Sequence, residues 1–185
     1  MRVIAGSARS IKLKTLPSDA TRPTTDKIKE TLFNMLQRDI YDSCFLDLFS
    51  GSGAIGIEAL SRGAKKAYFI ENNRNAIACI NDNLRSTKLA GKAQVRHQDV
   101  LRFLEKKEIE GISSFDLIFM DPPYNMHLEE FALKLLSNAS YVSDDTRIIV
   151  ESSARTDFSY LDKYGFQIVK VKEYKTNKHV FIQRI

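Results

Sequence analysis

Residues 44–56 read CFLDLFSGSGAIG, an apolar run of strand length that passes into a glycine-rich turn and then into a helical pattern. Gly51, Gly53 and Gly56 follow the spacing G-x-G-x-x-G, in which backbone without side chains can approach a ligand at the start of a helix. Glu71 follows Gly51 by 20 positions, at the end of the next apolar run, where a ribose-binding carboxylate is expected. The stretch therefore predicts a strand, a turn and a helix that together hold a nucleotide-like cofactor.

Short apolar runs alternate with helical patterns over the rest of the chain. Runs of strand length cover residues 44–49, 67–71, 93–97, 116–121 and 147–152, and helical patterns cover roughly residues 54–61, 73–86, 100–105 and 127–138. This alternation is typical of an α/β protein with a mostly parallel, doubly wound sheet. Two further runs, near residues 166–174 and 179–184, predict an antiparallel hairpin at the sheet edge.

The first part of the chain has a different pattern. Apolar and polar residues alternate in 2–5 and 11–16, which predicts a short hairpin-like extension over residues 1–22. Residues 24–38 carry apolar side chains at helical spacing, with Thr24 or Thr25 as a possible helix cap. A length of 185 residues is that of a single domain, and we expect residues 1–185 to form one.

Composition narrows the class of protein but does not decide its function. The formal net charge of +5 favours polyanionic partners, although many proteins with this charge bind none. Neither the two cysteines nor the three histidines show a metal-ligand spacing, so we predict no metal site. The opening residues lack the apolar core of a signal peptide, and no run is long enough to span a membrane. We expect a cytoplasmic protein without a membrane partner.

A second motif follows the apolar run 116–120. It reads Asp121-Pro122-Pro123-Tyr124, and its position places it at the carboxyl end of a strand beside the cofactor turn. Two consecutive prolines fix two φ angles and remove two backbone donors, which makes a stiff loop whose carbonyl groups can accept hydrogen bonds. Asp121 adds a carboxylate acceptor and Tyr124 adds an aromatic face.

These groups suit methyl transfer to an exocyclic amine of a nucleic-acid base. Such an amine is a poor nucleophile because its lone pair is delocalised into the ring. Acceptors for its N–H groups, here the Asp121 carboxylate and the Pro122 carbonyl, would stabilise the positive charge that develops on nitrogen. Tyr124 would stack on the extruded base. A sulfonium methyl donor is itself a good leaving group, so the chemistry requires no metal.

Alternatives remain open from the residues alone. The glycine spacing with Glu71 also fits an NAD-dependent dehydrogenase, but Asp47 inside the strand and the tetrapeptide favour S-adenosylmethionine. Asp99 could accept a hydrogen bond from the adenine amino group or simply cap the helix that starts near Val100. A DNA adenine-N6 methyltransferase could use the same tetrapeptide, although little of the chain is left over for direct readout of a DNA sequence.

At the level of whole motifs the chain resembles the RsmD-type methyltransferases, which modify guanine N2 in small-subunit (16S) ribosomal RNA. The resemblance covers nearly the whole length. It is carried by RVIAGSARSIKL at 2–13, RPTTDKIKETLF at 22–33, DLFSGSG at 47–53, GIEALSRG at 56–63, and DPPY at 121–124. The family often has a glycine in the last hairpin, where this chain reads YKTNKH at 174–179.

The resemblance implies a Rossmann-like class I methyltransferase fold with an N-terminal extension and S-adenosylmethionine as cofactor. It implies catalysis at Asp121, Pro122, Pro123 and Tyr124. It also implies cofactor contacts from Arg22, Thr24, Thr25, Asp26, Asp47, Phe49, Gly51, Ser52, Gly53, Glu71, Asn72, Asp99 and Val100.

The implied partner is ribosomal RNA within a partly assembled small ribosomal subunit, and we expect the protein to act as a monomer. A small catalytic chain has little surface for reading a long sequence, so docking would depend on basic groups and on RNA shape. The candidates for docking are the cations near the start of the chain, Arg2, Arg9, Lys12 and Lys14.

Overall fold

The computed structural model describes residues 1–16, 26–123 and 126–185. Within these residues a central sheet has seven strands in the order β3-β2-β1-β4-β5-β7-β6. Strands β1 to β5 are parallel, whereas β7 runs antiparallel to both β5 and β6. The strands are β1 (Cys44–Leu48), β2 (Lys66–Glu71), β3 (Ala93–His97), β4 (Leu117–Met120), β5 (Arg147–Ser153), β6 (Phe166–Glu173) and β7 (Asn177–Arg184).

Helices connect the parallel strands, as right-handed crossovers require. Helix α1 (Asp26–Met35) precedes β1, and the connecting helices are α2 (Ala54–Ser61), α3 (Arg74–Ser86), α4 (Val100–Leu104) and α5 (Leu128–Leu136). Short 3₁₀ turns lie at Ala90–Lys92 and Leu161–Tyr164. The side chain of Asn73 caps α3 by accepting from the backbone N–H groups of Asn75 and Ala76. None of the helices in the described ranges combines the length and the apolar character needed to cross a bilayer.

The doubly wound sheet and its antiparallel edge hairpin confirm the fold class predicted from the pattern of apolar runs. The observed strands and helices differ from the predicted ranges by a residue or two at most ends. In the described part of the chain the first helix begins at Asp26, and the proposed caps Thr24 and Thr25 lie outside the described residues.

Each face of the sheet carries an apolar layer. One layer is built around Phe69, Phe119 and Ile149, and packs against α1, α2, α3 and the N-terminal arm, which we define as residues 1–16. The other layer includes Ile118 and Met120 and packs against α4 and α5. Helix α2 is buried along its whole length because it lies between the sheet and the N-terminal arm.

The N-terminal arm is held on α2 by hydrogen bonds and close packing. The backbone N–H groups of Ile4 and Ala5 donate to the Glu58 carboxylate at 2.8 and 3.0 Å. A Cβ atom on Gly6 would lie 1.8 Å from the carbonyl oxygen of Ser61, so only glycine allows this approach. Within the arm, an isolated antiparallel bridge joins residues 2 and 12, where the sequence predicted a hairpin-like extension.

Candidate active site

The order of the strands determines where a ligand can lie. From β1 the chain proceeds to β2 and β3 on one side, and then returns to place β4 and β5 on the other side. The loops that follow β1 and β4 therefore diverge at a topological switch point, where open α/β sheets bind their ligands. The glycine turn follows β1, and Asp121-Pro122-Pro123 follows β4.

The glycine turn has a backbone that ordinary residues rarely adopt. Gly51 and Gly53 have φ values of 54° and 74°, and Phe49 has a φ of 59°, which is uncommon for a large side chain. No atom lies within 4 Å of the position that a Cβ on Gly51 would occupy. A ligand can therefore approach the Gly51 backbone on its open side. The strained backbone conformation of Phe49 is of the kind found at binding sites.

Gly56, the third glycine, and Asp47 stabilise the glycine turn. Gly56 donates its backbone N–H to Oδ2 of Asp47 at 2.9 Å, and a Cβ on Gly56 would lie 2.4 Å from a ring carbon of Phe69. Asp47 is fully buried, and this burial raises its pKa well above the usual range; the Gly56 N–H opposes the rise and the charge of Glu71 adds to it. The observed contact gives Asp47 the role of fixing α2 to β1.

Glu71 closes the other side of the turn. Its Oε2 accepts the backbone N–H of Gly51 at 2.8 Å, and its Oε1 accepts those of Asn72 and Asn73, each at 2.8 Å. The carboxylate thus sits among three backbone donors at the carboxyl end of β2. Each carboxylate oxygen can accept more than one hydrogen bond, so ribose hydroxyl groups can still be bound there.

Asp99 and Val100 lie at the end of β3. The Asp99 side chain caps α4 by accepting the backbone N–H of Arg102 at 3.0 Å, while Asp99 itself remains exposed. The next residue, Val100, is buried. Helix capping occupies one carboxylate oxygen, which leaves the other free to meet an adenine amino group.

Asp121 occupies the corresponding position after β4. It is partly buried, Pro122 is buried and Pro123 is exposed. Burial raises the pKa of the Asp121 carboxyl well above its usual range, and the charges of Glu151 and then Asp47 raise it further. A perturbed carboxyl at a sheet switch point is typical of a functional site.

A cleft of about 410 Å³ opens where the start of α5 faces the segment that follows β5. His127, Ser153, Arg155 and Tyr160 are among the residues that line it. Its volume is within the range of pockets that bind small molecules.

Comparison with known proteins places this site in a family. The family model described as conserved hypothetical protein 95 matches residues 1–183. Over 153 residues the chain is 41% identical to ribosomal RNA small subunit methyltransferase D of Haemophilus influenzae, a match that covers 82% of this chain and 78% of that protein. The chain belongs to the RsmD family.

Two further proteins agree with membership of the RsmD family. Ribosomal RNA small subunit methyltransferase D of Escherichia coli is 40% identical over 152 residues, covering 82% of this chain and 74% of that protein. A solved structure of the Escherichia coli protein yhhF, described as a candidate methyltransferase, aligns with a TM-score of 0.86 and 35% identity, covering 100% of this chain and 97% of that one.

In this RsmD-family chain the described site residues gather from four strand ends. Glu71, Asp47, Asp121 and Glu151 belong to β2, β1, the end of β4 and β5, which are neighbours in the sheet. Of the other residues predicted for the cofactor site, Asp26 begins α1, and an ion pair joins one of its carboxylate oxygens to Nε of Arg2 at 3.3 Å. Predictions for Arg22, Thr24, Thr25 and Tyr124 concern positions outside the described residues.

Sequence patterns did not single out two buried polar residues of this RsmD-family chain, Glu151 and His179. His179 is fully buried, and its Nε2 lies 3.1 Å from Oε2 of Glu151. The two residues are 28 positions apart, and only the pairing of β5 with β7 brings them together. In the part of the chain that the structure describes, no group of three or more His, Cys, Asp or Glu side chains is arranged to hold a metal ion.

Proposed function

We propose that this chain transfers a methyl group from S-adenosylmethionine to the exocyclic N2 amine of a guanine in small-subunit (16S) ribosomal RNA. The observation that carries the proposal is the meeting of the glycine turn and Asp121-Pro122 at one switch point in an RsmD-family chain. The relatives named ribosomal RNA small subunit methyltransferase D support the class of substrate.

The cofactor would lie across the glycine turn. Gly51 leaves open space for it, and Glu71 presents a carboxylate where ribose hydroxyl groups are expected. Asp99, with Val100 beside it, stands at the adjacent strand end as the partner for the adenine ring. S-adenosylmethionine would supply a methyl group bound to a sulfonium sulfur, which becomes a neutral sulfide when the methyl group is transferred.

Two groups of this chain would then act on the target amine. The Asp121 carboxylate and the Pro122 carbonyl accept its N–H groups, which localises the nitrogen lone pair and stabilises the positive charge that forms with the new N–C bond. One proton leaves the methylated nitrogen afterwards. Because the reaction needs no covalent enzyme intermediate, most of the acceleration comes from holding the amine in line with the methyl group.

The choice of RNA over DNA rests on the relatives and on the size of the chain. A DNA adenine-N6 methyltransferase would place the same acceptors around its target, since adenine N6 is also an exocyclic amine. Sequence-specific DNA enzymes need additional surface for direct readout. In this chain the described residues are almost all taken up by the sheet, its helices and the N-terminal arm.

Methylation of ribosomal RNA from a strain lacking the protein tests the proposal. We expect the purified protein and S-adenosylmethionine to produce N2-methylguanosine in small-subunit RNA, measured by mass spectrometry of nucleosides. Duplex DNA in a parallel reaction is the control for adenine-N6 activity. Methylated adenine in DNA, with no change in the RNA, would show that the substrate is DNA adenine and not ribosomal RNA guanine.

The same assay tests whether an assembled particle is the substrate. We expect a faster initial rate on partly assembled small subunits than on the same RNA freed of protein, and a steep fall in rate with salt. All four cations of the N-terminal arm are exposed; Arg2 also pairs with Asp26, and Lys14 pairs with Asp82. Equal rates on both substrates would contradict docking on a particle.

Glu71→Ala is expected to weaken binding of S-adenosylhomocysteine by about 1.5–3 kcal/mol, the scale of a hydrogen bond to a charged group. The substitution removes the ribose acceptor and also releases the Gly51 N–H from its partner. Calorimetric titration measures the affinity, and Glu173→Ala, which removes an exposed carboxylate on β6, is the matched control. Unchanged affinity in Glu71→Ala, or tight binding of NAD by the wild type, would contradict the assigned cofactor site.

A further inference from the structure

A buried polar network lies beside the proposed catalytic carboxylate, in a part of the fold to which the mechanism so far gives no role. Glu151 on β5 pairs in register with His179 on β7. Nε2 of His179 lies 3.1 Å from Oε2 of Glu151, and Nδ2 of Asn177 donates to Oε1 at 2.6 Å. All three residues are buried. Burying a carboxylate and two polar side chains costs free energy unless each polar group finds a hydrogen-bond partner. Such a network therefore suggests a functional role.

The contacts of His179 fit one tautomer of a neutral imidazole. The Tyr174 hydroxyl lies 3.2 Å from Nδ1 of His179. A histidine with its proton on Nε2 satisfies both contacts, since Nε2–H then donates to Glu151 and Nδ1 accepts from Tyr174. Both oxygens of Glu151 accordingly have donors, an arrangement that stabilises the charged carboxylate. Burial and the charge of Glu151 raise the pKa of Tyr174 to about 12, so its hydroxyl keeps its proton as a donor.

The register of the sheet puts Glu151 next to Asp121. Met120 of β4 pairs with Val150 of β5, and Asp121 and Glu151 are the residues that follow them. Residues in register on parallel strands project from the same face of the sheet, and neighbouring strands lie about 4.8 Å apart. The two carboxyl groups therefore stand at the ends of adjacent strands, where the charge of Glu151 acts on Asp121.

Charges face this pair from both sides. Asp47 on β1 is the other carboxyl that acts on Asp121, and it is buried with its own pKa raised, chiefly by burial. On the far side of Glu151 lie His179 and Tyr174, and the ammonium group of Lys172 lies 6.0 Å from the centre of the Tyr174 ring. The negative charge of Glu151 disfavours a second charge beside it, and so favours protonation of Asp121 as pH falls.

We propose that Glu151, with its carboxylate held by His179 and Asn177, is a positioning residue whose fixed charge controls the protonation of Asp121. The proposal rests on the proposed function in assigning Asp121 to the target amine. It adds a reason for the buried histidine on β7: the Nε2–H donor keeps the Glu151 charge in place. Ionised Asp121 offers the amine N–H a charged acceptor that opposes the positive charge forming on nitrogen, and protonation removes that charge, so Glu151 determines the pH below which methyl transfer declines.

The sign of the effect follows from the direction of the Asp121 pKa. Burial, and then the neighbouring negative charge, raises this pKa, so the methylation rate falls as pH decreases through a value higher than that of an ordinary aspartate. Glu151→Gln removes the charge and keeps the shape. Its amide can still accept from Asn177 and can donate to Nε2 of the other histidine tautomer. The acid limb of the rate profile should therefore move to lower pH, by about one unit for a close pair of like charges.

The experiment measures single-turnover methylation of small-subunit RNA between acid and neutral pH. Glu151→Gln should shift the acid limb downward, Glu151→Asp should keep the wild-type limb because the charge remains, and Glu173→Gln should also leave it in place. Circular dichroism and S-adenosylhomocysteine binding verify that each variant is folded. An unshifted limb in folded Glu151→Gln, or an equal shift in Glu173→Gln, overturns the proposal.

A second readout needs no substrate and separates this proposal from the proposed function. Carboxyl ¹³C shifts of labelled aspartate, with the Asp121 signal assigned through Asp121→Asn, report its titration directly. The midpoint should fall by about one pH unit in Glu151→Gln. A fall in a protein that methylates no RNA supports the electrostatic link and rejects the function, whereas an unchanged midpoint in an active enzyme rejects the link. Should Glu151→Gln not fold, Glu151→Met with His179→Leu removes the charge together with its buried partner and carries the same test.

Discussion

Asp121→Ala is expected to lower the rate of methyl transfer by about two orders of magnitude or more, which is the usual effect of removing one hydrogen-bond partner of a transition state. Asp121 follows β4 at the switch point and is the side chain placed to accept an N–H of the target amine. The Pro122 carbonyl belongs to the backbone and remains in the variant, so residual activity is expected. Affinity for S-adenosylhomocysteine should change little, because Glu71 and the glycine turn are untouched.

Single-turnover kinetics on small-subunit RNA measures this loss without interference from product release. Asp144→Ala, which removes an exposed carboxylate from the loop before β5, is the matched control. Asp121→Asn adds a sharper comparison, since the amide keeps an acceptor oxygen but loses the charge. A folded Asp121→Ala variant with near-normal turnover would remove Asp121 from the mechanism.

Glu58→Ala is expected to lower the free energy of unfolding by about 3–5 kcal/mol, because removing one partner of a buried ion pair leaves the other charge uncompensated. Glu58 lies 3.1 Å from Nζ of Lys29 and 2.8 Å from Nε of Arg62. The side chains of Glu58 and Lys29 have no exposed surface. The same carboxylate accepts the backbone N–H groups of Ile4 and Ala5, so its removal also frees the N-terminal arm from α2.

Lys29 explains why the loss is large. Burial lowers its pKa, and the Glu58 charge is the main opposing influence. Without Glu58 the buried ammonium group loses its counter-charge, and Lys29 must lose its proton or the local packing must open. Urea unfolding measures the change, with Glu30→Ala on the exposed side of α1 as the control. A loss of less than about 1 kcal/mol, as for an exposed pair, would show that the ion pair is not what holds this region.

The sequence was sufficient for features that depend on local pattern. The strands, the helices and the edge hairpin follow from the periodicity of apolar residues, and the glycine turn follows from its spacing. Gly56 shows the limit of that approach, because the glycine spacing predicted close approach of a ligand, whereas the observed neighbour of Gly56 is the ring of Phe69. Asp47 was predicted to contact the cofactor, and its observed partner is the Gly56 N–H.

Contacts between distant segments could not be predicted in this way. Glu58 and Lys29 read as ordinary charged residues on two helices, and nothing local indicates that both side chains are fully buried against the N-terminal arm. His179 lies in a hairpin that was predicted at the sheet edge without an order for its strands, and its pairing with Glu151 depends on β7 lying between β5 and β6. Both pairs, Glu58 with Lys29 and Glu151 with His179, depend on how distant segments pack together, so they could be found only in the structure.

That strand order also has a consequence during synthesis of the protein. β6 leaves the ribosome before β7, yet β7 is the strand that pairs with β5. Until β7 emerges, a nascent chain exposes the apolar edge of β5, with Ile148, Ile149 and Val150 lacking their final neighbours. An exposed edge strand is a template for wrong pairing between chains. Between translation of β5 and of β7, the nascent protein is therefore exposed to wrong pairing with other chains at this edge.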